Sequence, residues 1–252
     1  MTRPLHIASC SGGKDSVATI LLAAQHDEPM DEIVFAEVMF DKNTTGEVPE
    51  HRDFIYDKLK PFCEKELGVK FTILHGPKTY DDIFHHIIVR GPHQGEKRGF
   101  AWAGMCAVNR DCKIPPVRKY NAMLSPDTVS YVGIAEDEPK RLARLDGVKK
   151  VSLLAKYGMT EADAYKLCQE HGLLSPIYGH CRRNGCWFCP NASDNELLHI
   201  ITNYPEMFDR LIEWENEDNI FHRRMTRRET PSEVKARLLS KSQTGFSSPK
   251  RK

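Results

Sequence analysis

A glycine turn near the start of the chain constrains this protein more than any other feature. The turn reads S-G-G-K-D-S, follows the β-like stretch 5–10 and leads into an apolar run, 17–22, that predicts a helix. Two glycines let backbone N–H groups turn inward, and the helix N-terminus adds the positive end of its dipole. Two hydroxyls and an ammonium group complete a predicted phosphate-binding turn. Its residues are Ser11, Gly12, Gly13, Lys14, Asp15 and Ser16.

This turn differs from the G-x-x-x-x-G-K-[ST] loop of kinase-like NTPases, because only two glycines precede its lysine. It resembles the PP-loop of the ATP-pyrophosphatase superfamily, whose members split ATP between the α- and β-phosphates to adenylate a substrate. The alternative is an ordinary glycine turn before a helix. The preceding strand and the uninterrupted helical pattern that follows favour the phosphate site.

The composition indicates a protein without a membrane segment. Of the 252 residues 40% are hydrophobic, which suffices for a core, and 28% are charged. No apolar run approaches the roughly 18 residues that span a membrane. The N-terminus lacks the apolar segment of a signal peptide. We therefore expect a cytoplasmic protein.

The net charge of +1 conceals a basic C-terminus. Residues 221–252 contain 10 Lys or Arg against 2 Asp or Glu, so this tail carries +8 and the remainder −7. Gly, Ser and Pro become frequent after Ser240, which predicts disorder over the last dozen residues. A basic tail is suited to contact nucleic acid, and the alternative is that it only aids solubility.

Eight cysteines in a cytosolic chain indicate metal binding rather than disulfides. Cys186 and Cys189 form a C-x-x-C in a turn-like setting, which is typical of a two-ligand metal clasp. Cys106 and Cys112 are the best pair to complete four ligands, and Cys181 is the alternative. Zinc and a [4Fe–4S] cluster both accept four thiolates, so spacing does not separate them. The remaining three are expected to be buried small apolar residues: Cys10, Cys63 and Cys168.

Strand-like and helix-like segments alternate along the chain. Strands are predicted at 5–10, 31–41, 69–74 and 130–135, and a helix is predicted from Pro49 to Leu67. This alternation predicts an α/β fold with a doubly wound parallel sheet, which binds ligands beyond the carboxyl ends of its strands. The glycine turn, Asp41 and the acidic run 136–138 would lie at that edge.

We predict three parts in the chain. Residues 1–150 form the nucleotide-binding α/β domain with an inserted loop at 91–116, residues 151–220 a helical part with the metal clasp, and residues 221–252 the basic tail. An insertion of this length is usually functional or disordered, and its Trp102 and two cysteines favour an ordered loop. A helix is also predicted from Asn195 to Leu211.

Taken together, these motifs resemble the phosphoadenosine phosphosulfate (PAPS) reductase family of the same superfamily, in particular the short forms of prophages and mobile elements. The resemblance covers roughly residues 5–200 and depends on five matches in the family's order. They lie at 11–16, 109–116 (N-R-D-C-K-I-P-P), 133–141 (G-I-A-E-D-E-P-K-R), 174–178 (L-S-P-I-Y) and 185–191 (G-C-W-F-C-P-N). The resemblance implies an adenine nucleotide α-hydrolase-like (Rossmann-like) fold with a C-terminal helical iron–sulfur-binding part.

The resemblance also implies a [4Fe–4S] cluster, with zinc as the alternative. Iron–sulfur members carry a cysteine pair just ahead of a basic-x-x-Pro run and a later C-x-x-C. Cys106 and Cys112 flank the first position, and Cys186 and Cys189 match the second. The first pair is C-x5-C rather than adjacent, so Cys181 stays an alternative ligand. The related DNA phosphorothioation sulfurtransferases and tRNA-thiolating enzymes join the same loop to such a cluster.

Adenylyl transfer is the chemistry that the resemblance implies. The N–H groups of Gly12 and Gly13, with Ser11 and Ser16, would hold the β- and γ-phosphates of ATP as leaving pyrophosphate. Lys14 would neutralise the charge that builds on the bridging oxygen.

Acidic residues and an arginine would complete the nucleotide site. Asp15 or Asp41 would bind Mg²⁺, although Asp15 could equally cap the helix. Gly133 and Arg141 would contact the nucleotide, and Asp137 would contact the nucleotide or the metal as a catalytic residue. The alternative is that Asp137 caps the following helix while Arg141 pairs with a neighbouring carboxylate.

Three functions are compatible with this sequence. We favour an ATP-dependent iron–sulfur sulfurtransferase that acts on tRNA, DNA or a nucleotide and draws on a sulfur donor protein. The second is a sulfonucleotide reductase for PAPS or its APS analogue with an external thiol, because no cysteine follows Cys189 where sulfite-forming members have theirs. The third is a non-catalytic nucleotide-binding partner in a phage or defence system.

Overall fold

A five-stranded parallel sheet forms the centre of the molecule. The computed structural model describes residues 3–104, 106–145, 149–182 and 185–243. In these residues the strands are β1 His6–Cys10, β2 Glu32–Glu37, β3 Lys70–His75, β4 Lys97–Gly99, β5 Val129–Tyr131, β6 Lys150–Val151 and β7 Ile220–His222. The main sheet has the order β3-β2-β1-β5-β6, and β4 pairs with β7 in a small parallel ribbon. The predicted α/β class is confirmed.

Helices surround this sheet and build the C-terminal part. They are α1 Lys14–Gln25, α2 Pro49–Asp53, α3 Tyr80–Phe84, α4 Ile114–Asn121, α5 Pro139–Leu142, α6 Leu153–Lys156, α7 Glu161–Glu170, α8 Asp194–Asn203, α9 Pro205–Glu215 and α10 Pro231–Gln243. π-helical turns at Phe54–Leu59 and Phe62–Glu66 extend α2, and another at Asn109–Lys113 precedes α4. Short 3₁₀ turns lie at Ala143–Leu145 and Pro176–Gly179.

The strand order determines where a ligand can enter. The chain moves from β1 outward to β3 on one side and then returns to β5 and β6 on the other, so the order reverses between β1 and β5. A crevice opens at the carboxyl ends of strands at such a reversal. Helix α1 begins there, directly after β1, and its inner face is fully buried through Val17 and Ile20.

Two hydrophobic cores lie side by side. One packs the main sheet against α1, the extended α2, α6 and α7. The other joins the segment after β2, α3, the inserted loop, the C-x-x-C turn and α8 to α10, with Phe40, Tyr80 and Trp214 among its aromatic side chains. Residues 153–173 therefore pack on the sheet, and the inserted loop packs with the C-terminal helices.

Some boundaries differ from the sequence predictions. The helix predicted at 195–211 is two helices, because Pro205 lacks an N–H and disfavours a helical conformation at Tyr204. The strand predicted at 31–41 ends at Glu37, and the one at 130–135 ends at Tyr131. Strands β4, β6 and β7 were not predicted, since two or three residues are too few to show an alternating pattern.

The basic C-terminal segment is folded as far as it is described. β7 completes the small ribbon, and α10 buries Val234 and Leu238. Disorder was predicted for the last dozen residues, yet Lys241 still belongs to α10, and 244–252 lie outside the described residues. Within the described part of the chain, no helix combines the length and apolar character needed to cross a bilayer.

Candidate active site

The glycine turn brings backbone N–H groups to the carboxyl edge of the sheet. β1 ends at Cys10, Gly12 has a φ of +71°, and Gly13 is the N-cap of α1. A Cβ on Gly12 would lie 2.6 Å from Ile55 Cγ1 and 2.9 Å from His51 Cε1, so conformation and space both require glycine. The first turn of α1 consequently opens toward the crevice between β1 and β5.

Hydroxyl groups stabilise the turn from within. Ser16 Oγ donates to the Gly13 carbonyl at 2.8 Å and accepts from the Ser11 N–H at 3.1 Å. Ser11 Oγ lies 3.4 Å from Ser16 Oγ. Both hydroxyls thus lie beside the helix N-terminus.

A tyrosine from a distant segment reaches the same helix terminus. The Lys14 N–H donates to the Tyr178 hydroxyl at 2.9 Å. Burial raises the pKa of Tyr178 to about 12, so the hydroxyl stays neutral. Tyr178 belongs to the L-S-P-I-Y match, but sequence reasoning assigned it no role.

A pocket of about 530 Å³ lies in front of the turn, at the reversal of strand order. It gathers six of the predicted residues: Ser11, Gly13, Asp15, Ser16, Gly133 and Arg141. Two further cations, Lys113 and Lys150, also line it. Gly133 packs so tightly that a Cβ there would lie 2.7 Å from both Asp15 C and Ser16 N. The pocket therefore combines N–H groups, hydroxyls and three cations, a set suited to an oligophosphate.

Lys14 lies beside this pocket rather than among its lining residues. Its ammonium is 2.7 Å from Asp15 Oδ1 and 3.6 Å from Glu161 Oε1, with 12% of its side chain exposed. The positive charge is therefore shared with two carboxylates. Asp15 itself faces the pocket.

The structure does not bring Asp41 to this pocket. Asp41 pairs with Arg210 and accepts hydrogen bonds from the N–H groups of Asn43 and Thr44, both at 2.7 Å. Burial acts to raise its pKa, but the Arg210, Asn43 and Thr44 hydrogen bonds outweigh burial and lower the pKa below its usual range. Asp41 thus holds the turn after β2.

The acidic run after β5 contacts neighbouring helices. Asp137 Oδ1 accepts from the Glu161 N–H at 3.1 Å, at the start of α7. Arg141 Nη1 lies 2.6 Å from Glu138 Oε1, as in the alternative interpretation, while Arg141 also lines the pocket. Asp137 is not among the lining residues that the structure describes.

A buried histidine supports the glycine turn from behind. His51 Nε2 lies 2.9 Å from the Ser11 carbonyl oxygen, and Nδ1 lies 2.8 Å from Ser175 Oγ. Burial lowers the pKa of His51, which favours the neutral ring. Because a carbonyl only accepts, Nε2 carries the proton and Nδ1 accepts from the Ser175 hydroxyl. Sequence reasoning missed His51, because it lies inside an apparently ordinary helix.

The C-x-x-C turn is fixed by the segment that follows β2. Cys186 pairs with Glu47 through an isolated antiparallel β-bridge of the backbone. The Trp187 N–H donates to the Gly46 carbonyl at 3.0 Å. Trp187 Nε1 donates to the Thr45 carbonyl at 2.9 Å. Trp187 and its neighbour Phe188 are buried, and Cys10, Cys63 and Cys168 are also buried, as predicted.

The inserted loop brings Cys106 to this turn. The Gly104 N–H donates to Asn191 Oδ1 at 2.9 Å, and the Asn109 N–H donates to Cys106 Sγ at 3.3 Å. Tyr80 contacts both segments, because its hydroxyl accepts from the Ala101 N–H at 3.3 Å and its ring stacks on Phe188 with centroids 4.1 Å apart. Burial raises the pKa of Tyr80.

Two cysteines stay candidates for the fourth ligand. Burial, followed by the charges of Asp111 and Asp82, raises the pKa of Cys112 to about 12. On the other side, Cys181 lines a small cavity of about 30 Å³ together with Cys186 and Cys189. The structure keeps both alternatives open.

The thiols of the described cysteines are not gathered as closely as the sulfurs around a single zinc ion. Among the described residues, no three of the cysteine sulfurs lie within 4.8 Å of one another. A tetrahedral zinc ion with Zn–S bonds of about 2.3 Å would gather its sulfurs about 3.8 Å apart. Each thiolate of a [4Fe–4S] cluster binds a different iron, so its sulfurs lie farther apart.

Lys113 lines the pocket and directly follows Cys112 in the chain. Burial is the main cause of the raised pKa values of Cys10 and Cys186, and the charge of Lys113 acts weakly in the opposite direction. Lys113 therefore places one of the predicted cysteine ligands next to the pocket wall.

Comparison with known proteins finds remote similarity. No family model matches the chain. It is 24% identical over 256 residues to an uncharacterised 37.8 kDa protein of Escherichia phage 186, an alignment that covers 84% of this chain and 74% of that protein. It is 24% identical over 224 residues to an uncharacterised Methanocaldococcus jannaschii protein, covering 85% of this chain and 41% of the relative.

A solved structure is also similar. The U34-tRNA thiolase NcsA of Methanococcus maripaludis, with its [4Fe–4S] cluster, matches with 15% identity and a TM-score of 0.41. The match covers 84% of this chain and 74% of the thiolase.

Proposed function

We propose that this protein binds ATP at the N-terminus of α1 and catalyses ATP-dependent adenylation and sulfur transfer to a nucleic acid or nucleotide. One observation carries the proposal. The pocket at the reversal of strand order combines the N-terminal turn of α1 with Lys113, Arg141 and Lys150, and Cys112 directly precedes Lys113 in the chain. The proposed oligophosphate site thus adjoins one of the predicted cysteine ligands.

In this proposal the phosphates face the helix terminus. N–H groups of the glycine turn and the hydroxyls of Ser11 and Ser16 hold the β- and γ-phosphates, and Asp15 carries Mg²⁺. Lys14, held beside Asp15, contributes charge at the bridging oxygen. An acceptor oxygen attacks the α-phosphorus, its bond to phosphorus forms, and pyrophosphate leaves with the electron pair of the broken P–O bond.

Sulfur transfer would complete the reaction. A sulfide supplied by an external donor attacks the acceptor carbon, and AMP leaves with the oxygen that it had activated. Cys106, Cys186 and Cys189, with Cys112 or Cys181, would hold a [4Fe–4S] cluster. If only three of these thiolates bound it, the cluster would supply an iron site for sulfide, whereas four would leave it a structural or electrostatic role. Lys113 would place a positive charge between the two centres.

A matched pair of lysine variants tests the nucleotide site. We expect Lys113→Met to weaken ATP binding about tenfold or more, because a hydrogen bond to a charged group contributes roughly 1.5–3 kcal/mol. Lys119→Met, on the exposed face of α4, should bind ATP as the wild type does. The measurement is calorimetric titration of anaerobically purified protein. Equal affinity of wild type and Lys113→Met would contradict the site.

The reaction itself is tested by the products. Pyrophosphate release from ATP that depends on added tRNA or DNA supports the sulfurtransferase, and Lys14→Ala should reduce that release. Sulfite formed from PAPS with thioredoxin would instead identify a sulfonucleotide reductase. Nucleotide binding without turnover in either assay would identify a non-catalytic partner. Both of these results would overturn the proposal.

A further inference from the structure

Three side chains outside the cysteine group converge at one point. Glu50 comes from α2, His180 follows the turn Pro176–Gly179, and His199 lies in α8. One ligand atom from each lies within 4.8 Å of the other two, the one such grouping of three His, Cys, Asp or Glu among the described residues. The imidazoles of His180 and His199 are stacked, with centroids 4.3 Å apart.

Two buried atoms at this point have no hydrogen bond. Glu50 Oε1 and His199 Nε2 are inaccessible to solvent and lie 2.8 Å apart, yet their geometry makes no hydrogen bond between them. The His199 side chain is 8% exposed. Glu50 Oε1 and His199 Nε2 thus face each other as an ion pair without a hydrogen bond, and because buried polar groups nearly always have one, both atoms are open to a shared ligand.

The other polar atoms of this pair are held in place. Tyr204 donates its hydroxyl proton to Glu50 Oε2, and the Asn203 side-chain amide lies 3.1 Å from His199 Nδ1. Such contacts fix the orientation of metal-binding carboxylates and imidazoles and leave the remaining atoms for the ion. Glu50 Oε1 and His199 Nε2, which make no hydrogen bond, are thus the atoms presented for binding.

We propose that Glu50, His180 and His199 bind a Zn²⁺ ion, separately from the cysteine group. Two imidazoles and one carboxylate are a common donor set for this ion. Donors about 2.0–2.2 Å from one tetrahedral ion lie about 3.3–3.6 Å apart, so Glu50 Oε1 and His199 Nε2, now 2.8 Å apart, would separate by about 0.5–0.8 Å to bind it. A site of three protein ligands leaves a fourth position for water.

This ion would hold together the segments that shape the proposed nucleotide pocket. Glu50 precedes His51, which donates to the Ser11 carbonyl, and His180 lies two residues after Tyr178, which accepts from the Lys14 N–H. The ion would therefore link the two segments whose side chains, His51 and Tyr178, hydrogen-bond to the backbone of the glycine turn. Its binding itself does not depend on any nucleotide, so the site can be tested independently of the proposed function.

Zinc titration of a full-length variant without the clasp tests this site. In Cys186→Ser/Cys189→Ser protein, we expect calorimetry to detect one equivalent of Zn²⁺. Adding His199→Ala should abolish that equivalent. Adding Glu50→Gln, which keeps the shape of the side chain, should weaken binding at least tenfold. His171→Ala, an exposed histidine at the end of α7, serves as the matched control and should retain the ion.

Two further measurements make the outcome decisive. Circular dichroism establishes that each variant is folded, and X-ray absorption at the zinc edge should show nitrogen and oxygen ligands. Sulfur ligands in that spectrum, no zinc bound by the double cysteine variant, or equal stoichiometry with and without His199→Ala would each overturn the proposal.

Discussion

Gly133 offers a direct test of how the nucleotide pocket is built. It lies just after β5, against the first turn of α1, and a Cβ at this position would lie 2.7 Å from Asp15 C, 2.7 Å from Ser16 N and 2.8 Å from Asp15 O. Carbon atoms normally approach to about 3.5–4.0 Å, so Gly133→Ala creates an overlap of about 1 Å. All three atoms are main chain, and no rotamer change relieves the contact.

The free-energy cost of Gly133→Ala depends on how tightly α1 is packed against the core. The helix cannot retreat easily, because Val17 and Ala18 behind it are fully buried. Overpacking of this kind costs about 1–3 kcal/mol, and for a chain of this size each kcal/mol lowers the melting temperature by about 2–4 °C. Because the same shift separates the two walls of the pocket, we expect ATP affinity to fall by about tenfold or more.

Urea unfolding and calorimetric titration with ATP measure the two effects. Gly179→Ala is the matched control, because a Cβ at Gly179 meets nothing within 4 Å. That variant should unfold as the wild type does. The reasoning would be refuted if Gly133→Ala retained wild-type stability and ATP affinity, since the packing of β5 on α1 would then not define the pocket.

Two further predictions concern buried polar and aromatic groups. Burial acts to raise the pKa of Glu37, but hydrogen bonds from Tyr56, His75 and Thr45 outweigh it and leave the pKa lowered. Its ionised form therefore stabilises the fold above the usual carboxylate pKa, and this contribution is lost as pH falls through the lowered value. Glu37→Gln should cost about 1.5–3 kcal/mol at neutral pH, and the difference from wild type in urea titrations should shrink as the pH falls below about 4. A pH-independent difference would contradict this. Trp187→Ala should lower the free energy of unfolding by about 3–5 kcal/mol, because the ring is buried and its Nε1 donates to the Thr45 carbonyl. An unchanged melting temperature in thermal unfolding would show that Trp187 does not support the core.

Much of the local architecture was predictable from short segments. The parallel sheet, the start of α1 and the burial of Cys10 followed from apolar runs and from glycine placement, and each is confirmed. The break between α8 and α9 could also have been predicted from the sequence, because Pro205 restricts the backbone wherever it occurs. The helical spacing of apolar residues across 195–211 instead predicted one continuous helix.

The assembly of the site followed from tertiary contacts. Residues 11–16 predicted a phosphate-binding turn by themselves, because a turn and a helix N-terminus depend on neighbouring residues and on the backbone conformations that glycine permits. Lys150 and Tyr178 reach that turn from distant segments, and Asp41 is diverted from it by Arg210, more than 160 residues away in sequence. Such contacts arise from packing between elements, which no local pattern encodes. The position of Glu50 beside two histidines has the same origin.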